Sequence, residues 1–307
     1  MAPIRALPHG RYLLAVSGGR DSMVLLDAFA GCRADIVAVG TFDHATGPAA
    51  ERAARLVEEE GRLRSVRVVS GRRPAGGPAR EAAWRGARWK FLSSRAKELT
   101  ATVVTAHTRD DQLETVAMRV LRDPRHTSVR GLAAMYAPSP VARPLLTVGR
   151  SDVAAYAAAH QIRYVDDPSN VDRAYLRNRV RLDLLPALET ACPGFGAELI
   201  GIARRAAEWR ESVERVVDTL GTQLLPPLVV PLDPLRALPV EALGVLWPAI
   251  AGRAGIVLDW RGTERLVAFT TTGKTGGRIP LSGGAGVERT ASTFVLRASG
   301  AEDAVYL

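Results

Sequence analysis

Residues 12–22 read Tyr12-Leu13-Leu14-Ala15-Val16-Ser17-Gly18-Gly19-Arg20-Asp21-Ser22, and an apolar-rich stretch follows to Ala30. A continuous apolar run ending in two glycines predicts a buried strand over 12–16 and a tight turn, and the spacing beyond predicts a helix over 21–30 closed by Gly31. Paired glycines let backbone N–H groups face an anion, Ser17 and Ser22 add hydroxyl donors, and the helix aims its positive end at the same point. The segment reads as a pyrophosphate cradle. It has neither the GxxxxGK[ST] spacing of a Walker A loop nor a GxGxxG dinucleotide fingerprint. An ordinary glycine-containing turn is the bland alternative.

Working outward, strand-like and helix-like stretches alternate: a strand over 36–42, a helix over 49–60 stopped by Gly61, a strand over 66–69, a Gly/Pro-rich loop over 71–78, a helix over 79–99 and a strand over 102–106. Apolar strands alternating with amphipathic helices predict an α/β fold, a parallel sheet with helices on both faces, whose strand-end loops share one ligand-binding edge. Past Pro124 the pattern turns to helical pieces over 151–160, 170–188 and 197–223, then a Pro-rich linker over 225–239. Helices near 241–254 and 261–270 and strands over 278–281 and 293–297 predict a small α+β C-terminal domain. The expected division is a first domain over 1–190, a helical connection over 191–224 and a small C-terminal domain over 225–307.

Composition narrows the function. The chain has 307 residues, and all of its formal charge of +9 falls in residues 1–190, because residues 191–307 carry 12 basic and 12 acidic side chains. A net field confined to one part of the chain suits a polyanionic partner. Only Lys90, Lys97 and Lys274 among the basic residues are lysine, which an Arg-rich genome also explains. Cys32 and Cys192 are far apart and form no CxxC, which excludes a cysteine-held zinc or iron–sulfur site. No run reaches the roughly 20 apolar residues of a membrane span, and no signal-peptide pattern opens the chain, so a cytosolic protein with no membrane partner is expected.

Three further stretches carry candidate chemistry. In residues 81–89, Arg85 and Arg88 lie three apart on one expected helix and share a face suited to phosphate charge, or are simply solvated. In residues 105–115, His107 follows a strand directly and Asp110, Asp111 and Glu114 open the next helix. Three carboxylates so close together call for a cation, a substrate ammonium or Mg²⁺, or serve as helix caps. In residues 167–181, Arg177 and Arg181 stand four apart with Asn178 beside them, a face suited to RNA phosphates or a flipped base, or an exposed basic helix without a partner.

The segment Ser17–Ser22 resembles the SGGxDS signature of the PP-loop ATP pyrophosphatases, an adenine nucleotide alpha-hydrolase-like fold, and the three later stretches resemble the tRNA(Ile)-lysidine synthetase family in particular. The resemblance covers residues 11–190 and implies the short form of that family. It implies ATP held by Ser17, Gly18, Gly19, Asp21 and Ser22, with Mg²⁺ on Asp21. It implies catalysis by Asp21, Arg85, Arg88, His107 and Asp111, and free L-lysine bound by Asp110, Asp111 and Glu114. It implies a tRNA(Ile) with a CAU anticodon, met by His44, Arg177, Asn178 and Arg181. The wobble cytidine would be adenylated and the lysine amine would then displace AMP. Asp21 and Asp111 are both open as the acceptor of the amine's proton, and a homodimer is left open. The chain departs from the family pattern at Thr108, which replaces a second histidine, at Trp89, at Asp123 and in the run after His44. The competing readings are a PP-loop ligase or amidotransferase acting on a small molecule, and a tRNA-binding protein without catalysis.

Overall fold

The computed structural model describes residues 2–45, 47–73, 81–122, 129–221 and 227–297. They form two compact units, Met1–Arg204 and Arg205–Leu307. The first opens with the one-turn helix α1 (Ala2–Arg5), then β1 (Tyr12–Ala15), α2 (Arg20–Ala30), β2 (Ile36–Asp43), α3 (Pro48–Leu63), β3 (Val68–Arg72), α4 (Glu81–Leu99), β4 (Thr102–Val104) and α5 (Arg109–Arg122). The strands are parallel in the order β3-β2-β1-β4. Leu14, Val16 and Val39 pack with Met23, Leu26 and Phe29 of α2 and Val57 of α3. Leu13 and Gly40 turn to the opposite face, where a Cβ on Gly40 would lie 2.9 Å from Leu92 of α4. The expected sheet with helices on both faces is therefore present. Its order reverses at β1, so the loops after β1 and β4 flank a crevice at the switch point where such sheets bind ligands.

The ends of α3 and β3 differ from the sequence reading. Gly61 does not stop α3, which continues to Leu63. A Cβ at Gly61 would lie 2.2 Å from Val68 Cγ2, so the glycine serves the close approach of β3 rather than a helix end. The strand expected over 66–69 runs from Val68 through Gly71 and Arg72, into the stretch read as loop; residues 74–80 lie outside those described, as does Asp123.

After α5 come α6 (Val129–Leu132), two short 3-10 turns (Ala134–Tyr136 and Pro144–Thr147) and α7 (Arg150–Ala159). The helix expected over 170–188 starts only at α8 (Leu176–Arg179), then passes through a π turn (Val180–Leu184) into α9 (Leu185–Ala191). Asp167 accepts from Ser169 N at 2.9 Å and Asp172 from Ala174 N at 2.9 Å, side-chain turns that compete with the helix upstream.

The unit boundary falls inside α10 (Phe195–Thr219). The second unit adds β5 (Leu228–Pro231), α11 (Leu232–Arg236), α12 (Val240–Arg253), α13 (Trp260–Thr272), β6 (Arg278–Pro280), β7 (Gly286–Arg289) and β8 (Thr293–Arg297), with an antiparallel sheet in the order β5-β8-β7-β6. The Pro-rich segment read as a linker is partly core. Leu228, Val230, Leu232 and Leu235 are buried with Trp247 and Phe294, and Pro231 is tolerated because β5 is an edge strand.

Candidate active site

The turn after β1 is built as the sequence reads. Gly18 has φ +83°, and a Cβ there would lie 2.7 Å from Ala53 O and 2.8 Å from Ala53 Cβ, so α3 leaves room for glycine alone. Ser22 Oγ donates to Gly19 O at 2.8 Å and accepts from Ser17 N at 3.1 Å, which folds the loop over the first turn of α2. Gly19 is the N-cap of that helix and carries no side chain to cap it, leaving the positive helix end open to a ligand.

A cavity of about 190 Å³ opens on this loop. Ser17, Asp21 and Ser22 line one side, Thr105 and His107 from the β4 end another, and Phe42, His44, Arg88, Trp89 and Leu92 the rest. Arg88 has no carboxylate within ion-pair distance among the described residues, and burial, with Arg85 and Arg177 nearby, holds its guanidinium below its ordinary value. A cation left unanswered at a cavity wall is an anion site. Burial raises the Asp21 carboxyl, an effect that Arg150 and Arg20 only partly offset. His107 Nδ1 lies 2.7 Å from Thr105 Oγ1, and burial brings its imidazole down to about 4, so it is neutral in the fold near pH 7. His44 is likewise lowered by burial and by Arg88, and its Nδ1 is buried without a hydrogen-bond partner.

The carboxylates of α5 are used differently. Asp111 Oδ2 accepts from Thr108 N at 2.8 Å and Thr108 Oγ1 at 3.0 Å, while Asp111 N donates to Thr108 Oγ1 at 3.3 Å, a reciprocal cap on the start of α5. Thr108 thus has a structural use. Asp110 Oδ2 accepts from Arg150 N at 2.7 Å at the start of α7. Glu114, with a side chain only 1% exposed, meets Arg150 Nη1 at 3.0 Å, Arg177 Nε at 2.7 Å and Arg181 Nε at 2.6 Å. Asp111 Oδ1 takes Arg177 Nη2 at 2.8 Å and Arg150 Nη2 at 3.2 Å. Burial alone would raise both carboxyls, but these arginines, with the Thr108 N–H at Asp111, hold them below the usual range.

The structure therefore divides the expected site residues. Ser17, Asp21, Ser22, His44, Arg88 and His107 line one cavity. Two of the residues assigned to lysine and two of those assigned to tRNA meet each other: Asp111 and Glu114 are joined to Arg177 and Arg181. Asn178 donates to Ser169 O at 2.7 Å and Asp172 O at 2.8 Å, holding the preceding loop. Arg85 is exposed on α4.

Sequence reasoning missed Arg143 and Arg150. Arg150 reaches Asp111 and Glu114, and its Nε lies 4.0 Å from Asp21 Oδ2, joining the phosphate loop to α5. The available signal was a cation in the first turn of a helix, where the dipole disfavours it and acidic neighbours must answer it. Arg143 follows Ala142, which pairs with Val104 of β4, so it stands at the same sheet edge as His107.

Residues 2–188 match the family described as PP-loop domain. The chain is 42% identical over 216 residues to a tRNA(Ile)-lysidine synthase of Bradyrhizobium sp. (strain BTAi1), covering 64% of this chain and 58% of that protein. It is 31% identical over 270 residues to a tRNA(Ile)-lysidine synthase of Parasynechococcus marenigrum, covering 84% and 76%. The chain thus spans only a little over half the length of the first relative. Among solved structures, the U34-tRNA thiolase NcsA from Methanococcus maripaludis shares the fold, with a TM-score of 0.53 at 15% identity over 67% of this chain and 78% of that one.

Proposed function

The chain belongs to the PP-loop family and, within it, to the tRNA(Ile)-lysidine synthases, and from that membership we propose that it joins free L-lysine to the wobble cytidine of a tRNA(Ile) with a CAU anticodon. The 2-carbonyl oxygen of the cytidine attacks the α-phosphate of ATP and pyrophosphate leaves. The lysine ε-amine then attacks C2, the C2–O bond breaks, and the oxygen departs in AMP.

The observation that carries this reading is the cavity shared by the Ser17–Ser22 loop, Arg88 and His107 at the switch point of the sheet. The loop and the open end of α2 suit the pyrophosphate, and Arg88 suits charge growing on the α-phosphate. Mg²⁺ fits as a partner of Asp21 and the phosphates together. No group of three acidic, histidine or cysteine ligands occurs among the described residues, and this ion takes one or two carboxylates plus phosphates in such sites. When bound, it would neutralise phosphate charge beside Asp21.

The attacking amine must be neutral, so an acceptor for its proton is needed. Asp21 and Asp111 are both candidates for that role. Glu114 and Asp111 act through Arg150, Arg177 and Arg181 as the frame beside the cavity. Arg85 and His44 remain the candidates for tRNA contact, and the C-terminal unit is a candidate for tRNA discrimination. No helix among the described residues is long and apolar enough to cross a membrane.

Pyrophosphate release tests the reading: it should require both ATP and the CAU-anticodon tRNA(Ile), and an elongator methionine tRNA should support it poorly. Release that is independent of tRNA would move the chain to a small-molecule ligase.

A further inference from the structure

Most arginines of the first unit that turn inward find an acceptor. Arg150, Arg177 and Arg181 meet Glu114, Arg119 donates to Gly131 O, and Arg64 meets Glu60. Arg143 does not. Its Nε is buried without a hydrogen-bond partner, and no carboxylate among the described residues pairs with it. Its surroundings add positive charge, for Arg85 is near enough to depress it and Arg143 itself depresses His107. The carboxylates Asp111 and Glu114 of α5 are taken by three other arginines. A half-buried guanidinium among like charges is costly unless an anion joins it.

The backbone fixes where that anion would be. Ala142 N donates to Val103 O at 2.9 Å and Thr105 N to Ala142 O at 3.0 Å, so Ala142 makes a single parallel bridge to β4 just before Arg143. Arg143 then leaves the sheet at its ligand edge, while Pro144 starts a 3-10 turn. It does not line the nucleotide cavity, whose wall on this side ends at His107.

We propose that Arg143 seats a backbone phosphate of the substrate RNA, at a linkage next to the nucleotide whose base enters the cavity past His107. The inference rests on the tRNA reading given above and adds to it a residue and a ligand group. The chemistry is that of a phosphate oxygen on a guanidinium fork. ATP is the other source of phosphate. The phosphate loop and Arg88 line the nucleotide cavity and Arg143 does not, which favours the RNA.

The test uses the full chain and tRNA(Ile) in which single linkages around the wobble position are made neutral methylphosphonates. Arg143→Ala should weaken tRNA binding about tenfold, the effect of one charge-assisted hydrogen bond. It should also lower the salt slope of binding by about 0.7–0.9, while the ATP affinity stays as in the wild type. One neutral linkage should weaken the wild type equally and Arg143→Ala no further. Arg143→Lys should recover the slope and only part of the affinity, because it lacks the fork. If Arg143→Ala does not fold, Arg143→Lys and Arg143→Gln are read in the same cycle. The proposal is overturned if no linkage couples to Arg143, or if ATP affinity falls while the tRNA salt slope is unchanged. A wild type that does not act on tRNA(Ile) at all defeats the functional reading itself, whereas a wild type that acts on it with Arg143 variants of unchanged slope defeats this inference alone.

Discussion

Arg177 Nε lies 2.7 Å from Glu114 Oε2, tying the short helix α8 to the carboxylate helix α5 across 63 residues of sequence. Arg150 and Arg181 close on the same carboxylate, so one buried side chain gathers three elements. Removing one member of such a buried charge cluster leaves its partners uncompensated.

Glu114→Gln should accordingly destabilise the first unit by about 3–5 kcal/mol, the cost of breaking a buried charge pair and leaving its partners packed. Urea denaturation measures this. Adenylation and lysine transfer should fall together in single-turnover assays. A variant of normal stability with only a raised lysine requirement would return Glu114 to direct contact with the lysine α-ammonium.

Thr108 and Asp111 cap α5 reciprocally, and Thr108 is fully buried. Thr108→Val keeps the shape and removes the hydroxyl, and should cost about 1–2 kcal/mol. The midpoint of denaturation should fall with little change in slope. An unchanged midpoint would mean that the cap adds nothing to stability.

Gly18→Ala places a Cβ 2.7 Å from Ala53 O at a φ of +83°. The residue is forced into a conformation that costs of order 1–3 kcal/mol. Because the displaced backbone belongs to the phosphate loop, ATP affinity should drop more than overall stability. Equilibrium nucleotide binding checks this, and wild-type affinity in the variant would show that the loop tolerates a side chain.

His107 supplies a pH dependence. Its folded value, about 4, lies below the ordinary 6.5, so between these values the unfolded chain binds a proton that the folded chain does not. Stability from this group is complete above about 6.5 and is lost as pH falls toward about 4. His107→Gln should flatten that part of the stability profile, while the loss from Asp111 and Glu114 appears at lower pH. An unchanged profile from pH 7 to 4 would show that His107 titrates normally.

The phosphate loop was legible because strand, paired glycines and helix are contiguous, so local conformation and ligand preference are written in one stretch. The frame behind it was not. Arg150 meets its carboxylates from 36 to 40 residues away, and no local period encodes such a pairing. Spacing put Arg177 and Arg181 on one helix side, but it did not show that this side meets Glu114. Gly61 misled for a related reason: a glycine chosen for a neighbouring strand's approach is indistinguishable in sequence from one that ends a helix. At Leu228–Pro231, two prolines just upstream concealed an alternating strand whose burial depends on β8.

Isotopically labelled lysine tests the proposed reaction most directly. With ATP and CAU-anticodon tRNA(Ile), the label should appear covalently on the wobble cytidine, with one AMP and one pyrophosphate formed for each lysine joined. Omitting lysine should leave AMP attached to the tRNA. Formation of ADP, or equal labelling of elongator methionine tRNA, would contradict it.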